Sequence, residues 1–166
     1  MYSPRGGIML PDIDNTDRKI LTLLQENAGL SVADIAEKVN LSASPCWRRI
    51  KRLEEMGVIK QRITLLDREK LGLGFEAYVL VKLSLPNRKN LNQFEEVINK
   101  MPQVIHCSVV TGAVDFMLRV VAKDMQSYDD FLREELLAID LVSDVQSRIV
   151  MRQVKDSHIL PLIEMG

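Results

Sequence analysis

A dense group of cationic side chains lies within residues 48–52, where only Ile50 interrupts it. Guanidinium and ammonium groups bind phosphate oxygens, so such a group can hold the backbone of DNA. Ser44, one turn earlier, carries a hydroxyl that can reach a phosphate or the edge of a base. The alternative is an amphipathic helix whose charges only keep it in water. The four cations are Arg48, Arg49, Lys51 and Arg52.

A helix through this segment would have two distinct faces, because successive residues turn by about 100°. Cys46, Ile50 and Leu53 form a narrow apolar stripe, which predicts that one face is buried. The opposite face carries no acid except Glu55 at its far end, and this favours a nucleic-acid contact over a solvated surface. The outward-facing residues are Ser44, Arg48, Lys51 and Arg52, with Trp47 at one rim and Arg49 at the other.

The residues before and after this helix predict the elements that would hold it in place. Residues 15–26 have apolar side chains at helical spacing, and Asp14 is available as the cap. Ser31, followed three residues later by Asp34, is close to a capping-box pattern and opens a short second helix. The β-branched stretch 58–66 suits a small hairpin or wing. Together they predict a winged helix-turn-helix, which inserts one helix into a major groove.

From Phe75 onward the apolar pattern changes, and strands alternate with helices. The order is strand, helix, strand, strand, helix, strand, which predicts a ferredoxin-like βαββαβ arrangement and an α+β chain overall. Two helices on one face would leave the other sheet face bare, so we expect that face to pair with another copy. The predicted strands cover 75–85, 104–110, 116–122 and residues near 145–151; the helical stripes run over 91–101 and 125–139.

The sequence gives little support to other classes of protein, such as enzymes or metal-binding proteins. Cys46 and Cys107 lie far apart without metal-like spacing, and we expect them to be buried thiols. His106 and Cys107 are neighbours in a predicted strand and so point to opposite faces, a poor arrangement for a nucleophile and its base. No phosphate-binding glycine loop, serine elbow or zinc spacing occurs. We therefore expect no enzyme, no cofactor, no metal site and no membrane partner, and a cytoplasmic location.

The stretch "LSASPCWRRIKRLEEMGVI", residues 41–59, closely resembles the Lrp/AsnC family of bacterial and archaeal feast/famine transcription regulators. The resemblance extends over residues 13–163, and the second part is similar to that family's effector-sensing domain. It implies double-stranded DNA as a partner, a dimer that assembles into octamers or similar rings, and a small-molecule effector, usually an amino acid. By resemblance, the DNA contacts are Ser42, Ser44, Pro45, Arg48, Arg49 and Arg52. Trp47 has two alternative roles: contact with the sugar-phosphate backbone of DNA, or packing on the first helix.

The family's effector signature corresponds here to "TGAVDF", residues 111–116. Gly112 and Asp115 match the family pattern, whereas Ala113 replaces the usual acid and Val114 the usual aromatic residue. Asp115 could either cap the turn or contact a ligand, and Gly112 is also typical of a turn with positive φ. The candidate effector residues are Thr111, Gly112, Ala113 and Asp115.

The chain is accordingly divided by sequence into four segments. Residues 1–12 are a disordered or extended tail, 13–63 the DNA-binding domain, 64–74 a linker and 75–166 the ligand-sensing and oligomerisation domain. The net charge of −1 is uneven: residues 1–62 hold ten Lys and Arg against eight Asp and Glu, a net of +2 that suits a polyanion. The predicted function is a sequence-specific, nucleoid-associated transcription regulator modulated by an effector. The alternative is a largely nonspecific architectural protein that organises DNA without an effector.

Overall fold

The chain divides into two units in the computed structural model, which describes residues 12–162. The first contains residues 12–65 together with residues 156–162, and the second contains residues 66–155. No helix among residues 12–162 is long and apolar enough to cross a membrane.

Three helices build the first unit: α1 (Asn15–Glu26), α2 (Val32–Lys38) and α3 (Ala43–Glu55). Asp14 and Ser31 cap α1 and α2 through capping boxes, as their sequences predict. The apolar stripes of the three helices meet in one core, which confirms the face predicted to be buried on α3. Its fully or nearly fully buried residues are Ile20, Leu21, Ile35, Ala36, Val39, Cys46, Ile50 and Leu53.

α3 begins after Ser42, whose backbone is extended and whose side chain makes no capping bond to the helix. Pro45 lies in the first turn, where its missing N–H deprives the helix of no hydrogen bond. After Met56, Gly57 adopts a φ of +70°, the left-handed conformation that commonly ends a helix. These local features fix the start and the end of the cationic helix.

The hairpin predicted over Val58–Leu66 is wrong, because no residue from 56 to 74 lies in a strand. The stretch has no Gly, Pro, Asn or Asp with which to make a tight turn, and an isolated hairpin has little stability of its own. Ile63, Leu65 and Leu66 remain exposed. The start of the segment is held on α3 instead by Val58 and Ile59, whose backbone N–H groups donate to the Leu53 carbonyl at 3.0 and 3.1 Å and whose side chains pack on the helical core.

A four-stranded antiparallel sheet forms the second unit, in the order β2-β3-β1-β4. This is the predicted βαββαβ arrangement. β1 ends two residues earlier than predicted, before Ser84 and Pro86, and β4 begins three residues earlier, because its pairing with β1 continues through an irregularity at Lys82 and Leu83. The strands are β1 (Phe75–Leu83), β2 (Val104–Val109), β3 (Phe116–Ala122) and β4 (Val142–Ile149).

Two helices cover one face of this sheet: α4 (Arg88–Ile98) and α5 (Met125–Phe131), the latter continued by a π-helical turn over Leu132–Leu136. The rings of Phe94 and Phe116 pack at 4.5 Å between centroids beneath them. The alternate residues of β1 and β3 point to the other face. The two helices do not cover that face, but it is not wholly apolar. Buried Glu76 on β1 forms ion pairs with Arg119 at 2.7 Å and with Arg68 at 3.2 Å. Pairing of this face with another copy stays a prediction.

Residues 156–162 belong with the helices of the first unit, whereas the sequence assigned all of 75–166 to the sensing domain. The backbone N–H of Leu160 donates to Gln25 Oε1 at 2.8 Å, and Gln25 Nε2 donates back to the Leu160 carbonyl at 3.3 Å. Arg18 Nη1 donates to the Leu162 carbonyl at 3.4 Å, and Leu162 packs against the helical core. These contacts show that the chain returns to α1 after the sheet.

Candidate DNA interface and effector turn

The outward face of α3 places most of the predicted DNA-contacting residues in solvent. Ser42, Ser44, Arg48 and Lys51 are exposed, and Trp47 is 51% exposed. Half of the indole is therefore available to a sugar-phosphate backbone. An open groove of about 370 Å³ adjoins this face and is lined by Asp14, Pro45, Arg48, Arg49 and Arg52. The structure thus brings the predicted residues to one side of the helix.

A buried carboxylate holds two of the four cations of α3. Asp17, in the first turn of α1, is completely buried. Its Oδ1 accepts from Arg49 Nη1 at 2.9 Å, and its Oδ2 accepts from Arg52 Nη2. Arg49 Nη1 also donates to Asp14 Oδ2 at 2.7 Å. Arg49 and Arg52 are therefore bound internally, on the α1 side of the groove.

The electrostatics of this cluster follow from these bonds. The pKa of Asp14 lies below its ordinary value, chiefly because its side chain accepts from the backbone amide of Asp17 and also because Arg49 is close. The pKa of Arg49 is raised by its hydrogen bonds to Asp17 and Asp14. Two carboxylates thus balance two guanidinium groups, and the cluster of Asp14, Asp17, Arg49 and Arg52 has no net charge.

The other two cations of α3 have different surroundings. Lys51 Nζ lies 2.7 Å from Glu54 Oε2, an exposed pair one turn apart that contributes little energy. This contact with Lys51 is also the main reason that the pKa of Glu54 is lowered. Within residues 12–162, no ion pair or side-chain hydrogen bond engages Arg48. Arg48 is therefore the cation of α3 whose charge is most available to a phosphate.

The sequence pattern of α3 does not point to Asp17 as a functional residue, although the position of Asp17 on α1 does give a signal. It lies three residues before Ile20, four before Leu21 and four after Ile13, so it falls on the apolar side of α1. A carboxylate on a buried helical face requires a cationic or hydrogen-bonding partner. That signal predicts a partner without identifying it, and the structure shows that the partners are Arg49 and Arg52 of α3.

The predicted effector residues lie on the turn between β2 and β3. Thr111, Gly112 and Ala113 are exposed, and Gly112 adopts a φ of +125°, which favours glycine. Asp115 is partly buried; its backbone N–H donates to the Val81 carbonyl at 2.9 Å. Its side-chain Oδ2 accepts from the backbone N–H of Leu83 at 2.8 Å. Asp115 therefore has a role in the turn whether or not it also contacts a ligand.

The structure also contains a small cavity of about 230 Å³ between α4 and the strands β2 and β3. Cys107 lies on it, and burial followed by the charge of Glu95 raises the pKa of its thiol. Cys46 is fully buried in the helical core, where burial likewise raises its pKa. Neither thiol is activated as a nucleophile, since activation requires a lowered pKa.

A three-helix unit with an exposed cationic third helix, joined to a βαββαβ sheet unit, defines a helix-turn-helix transcription regulator with a separate ligand-binding domain. Models of known families agree: a winged helix-turn-helix DNA-binding model matches residues 13–60, and the Lrp/AsnC ligand-binding-domain model matches residues 76–160. The chain belongs to the Lrp/AsnC family. It is a DNA-binding transcription regulator and not an enzyme.

Known relatives match along nearly the whole chain. It is 43% identical to the transcriptional regulator AzlB of Bacillus subtilis, over 96% of this chain and 99% of that protein. It is 38% identical to the glutamate uptake regulatory protein of Zymomonas mobilis, over 94% of each. The crystal structure of a transcriptional regulator of Neisseria meningitidis in complex with L-Met matches with a TM-score of 0.88 and 36% identity, over 92% of this chain and 98% of that one.

Proposed function

We propose that this regulator binds specific DNA sites through α3 and that an amino acid changes its DNA affinity or its oligomeric state. The single observation that carries the DNA half is the exposed face of α3, where hydroxyl groups at the helix start precede Arg48, which has no ion-pair partner among residues 12–162. Such a face can place hydroxyls at base edges while the cation holds a phosphate. The first unit presents this face on a packed core of three helices.

The proposed contacts divide into two groups by their present partners. Ser42, Ser44, Pro45, Trp47, Arg48 and Lys51 form the group proposed to contact DNA directly. Arg49 and Arg52 line the same groove, but they are paired with carboxylates of the first unit. The remaining expectations, action on the bacterial or archaeal nucleoid in the cytoplasm and assembly of sheet-linked dimers into octamers or similar rings, are part of the same proposal.

The effector half rests on the turn formed by Thr111, Gly112, Ala113 and Asp115. The solved relative from Neisseria meningitidis carries L-Met, which supports an amino acid as the class of effector. Ala113 and Val114 depart from the family's usual acid and aromatic residue, so we propose that this turn selects a different amino acid from relatives that keep them. Effector binding can change DNA affinity only if it favours one assembly over another.

The test is a panel of the common amino acids, each added to the purified protein. Melting temperature, oligomer size and affinity for a DNA site found by genomic footprinting are measured for each. We expect one or a few amino acids to change at least two of these quantities. No change with any of them would refute the effector half. Protection spaced by helical turns on every promoter tested would favour the architectural alternative over the specific regulator.

A further inference from the structure

We propose that Asp17 limits the charge that α3 offers to DNA, because it keeps Arg49 and Arg52 away from DNA phosphates. The inference rests on the proposed contact between α3 and DNA. It starts from an imbalance: four cations lie on α3, but only Arg48 and Lys51 are not bound to a buried carboxylate. A count of cations from the sequence therefore overstates the charge that α3 offers to DNA.

The geometry explains why Arg52 stays with Asp17. Each carboxylate oxygen of Asp17 serves a different guanidinium group, Oδ1 for Arg49 and Oδ2 for Arg52. Oδ2 has one further donor, the backbone N–H of Asp14 at the longer distance of 3.3 Å. If Arg52 moved to a phosphate, a carboxylate with no exposed surface would lose its main charge partner at that oxygen. Loss of a charge partner from a buried carboxylate is unfavourable, because water cannot replace the guanidinium group there.

The consequence for recognition follows from the origin of nonspecific affinity. Binding to arbitrary DNA comes almost entirely from cations that displace counterions from phosphates. Two neutralised cations therefore weaken binding to every sequence alike, whereas the hydroxyl groups of Ser42 and Ser44 still contact base edges only at a matching site. Asp17 thus lowers the affinity of α3 for all DNA by the same factor and leaves the ratio of specific to nonspecific binding unchanged.

The experiment measures affinity as a function of salt concentration for two duplexes, one with a site found by genomic footprinting and one with the same bases scrambled. The protein variants are Asp17→Asn, Arg52→Gln and the double variant. Asp34→Asn is the matched control: it removes one negative charge from the same unit, at a capping carboxylate that bonds Ser31 and no arginine.

Asp17→Asn is expected to steepen the slope of log affinity against log salt by about 0.9 for each DNA-bound helical unit, because one more cation reaches a phosphate. Affinity for both duplexes should rise about three- to tenfold, so that discrimination between them stays nearly unchanged. Arg52→Gln should leave the slope unchanged, and the double variant should restore the slope of the unmodified protein. Asp34→Asn should change neither the slope nor the affinity for either duplex. If Asp17 had a purely structural role, Asp17→Asn would lower the affinity for both duplexes and would not steepen the salt slope.

Two results would overturn the inference: a slope flattened by about 0.9 in Arg52→Gln, or an unchanged slope in folded Asp17→Asn. Arg52→Gln keeps the inference testable if Asp17→Asn fails to fold, because Asp17 then retains Arg49. Failure of the unmodified protein to bind either duplex would refute the DNA contact itself, an outcome distinct from binding with the wrong slopes.

Discussion

The side chain of Asp115 accepts a hydrogen bond from the backbone N–H of Leu83 at 2.8 Å, so the last residue of β1 is bound to the turn that precedes β3. The backbone of Asp115 adds a second bond, from its N–H to the carbonyl of Val81. From the sequence alone, Asp115 could have a role either in the turn or in ligand binding. The structure supplies the partner for the first role, and the second stays a prediction.

Asp115→Ala should therefore destabilise the sheet unit even without an effector. The loss removes a charge-assisted hydrogen bond from a partly buried amide, so the free energy of unfolding should fall by about 1–3 kcal/mol. Thermal unfolding in the absence of amino acids measures it. Thr111→Ala, at an exposed position of the same turn, is the control and should leave the melting temperature nearly unchanged. An unaltered melting temperature in Asp115→Ala would contradict a structural role for this hydrogen bond.

The stability of the helical unit should depend on pH through Asp14. Its pKa is lowered in the folded protein, so its contribution to stability is fully present above about pH 4 and is lost as pH falls through the lower, native pKa. The side chain is half exposed, so the contribution is about 0.5 kcal/mol. Urea unfolding followed by fluorescence of Trp47, the chain's one tryptophan, isolates this unit. Asp14→Asn should lose less stability between pH 5 and pH 3 than the unmodified protein; equal losses would contradict the assignment.

Gln25 should control the attachment of residues 156–162 to α1. Gln25→Ala removes both hydrogen bonds to Leu160, so the amide of Leu160 should exchange with deuterium faster. Global stability should fall by no more than about 1 kcal/mol, because these bonds are exposed. Gln93→Ala, at an exposed position of α4, is the control. Unchanged exchange at Leu160 would mean that the segment is held by Leu162 and Arg18 without Gln25.

The features that local sequence determines were predictable. The bounds of α1 and the capping boxes follow from side chains within a few residues of each other, and the buried stripe of α3 follows from its periodicity. The order of strands and helices in the second unit was predictable for the same reason. The hairpin over Val58–Leu66 failed because β-branched residues favour extended backbone but cannot supply a turn or a partner strand.

The features that depend on contacts distant in sequence were not predictable from pattern alone. The bonds of Asp17 to Arg49 and Arg52 span 32 and 35 residues, and those of Gln25 to Leu160 span 135. Helical geometry places Arg52 on the outward face of α3, and this agrees with its half-exposed side chain. Only the position of α1 shows that the guanidinium group turns back to a buried acid.

Arg48→Ala tests most directly whether the exposed face of α3 contacts DNA. Affinity for a footprinted site is measured across a range of salt concentrations, beside Lys89→Ala, which removes an exposed cation from α4. Loss of the Arg48 phosphate contact should weaken binding about three- to tenfold and flatten the salt dependence by about 0.9 for each bound helical unit. Lys89→Ala should change neither quantity. Unchanged affinity and slope in Arg48→Ala would contradict the assignment of this face to DNA.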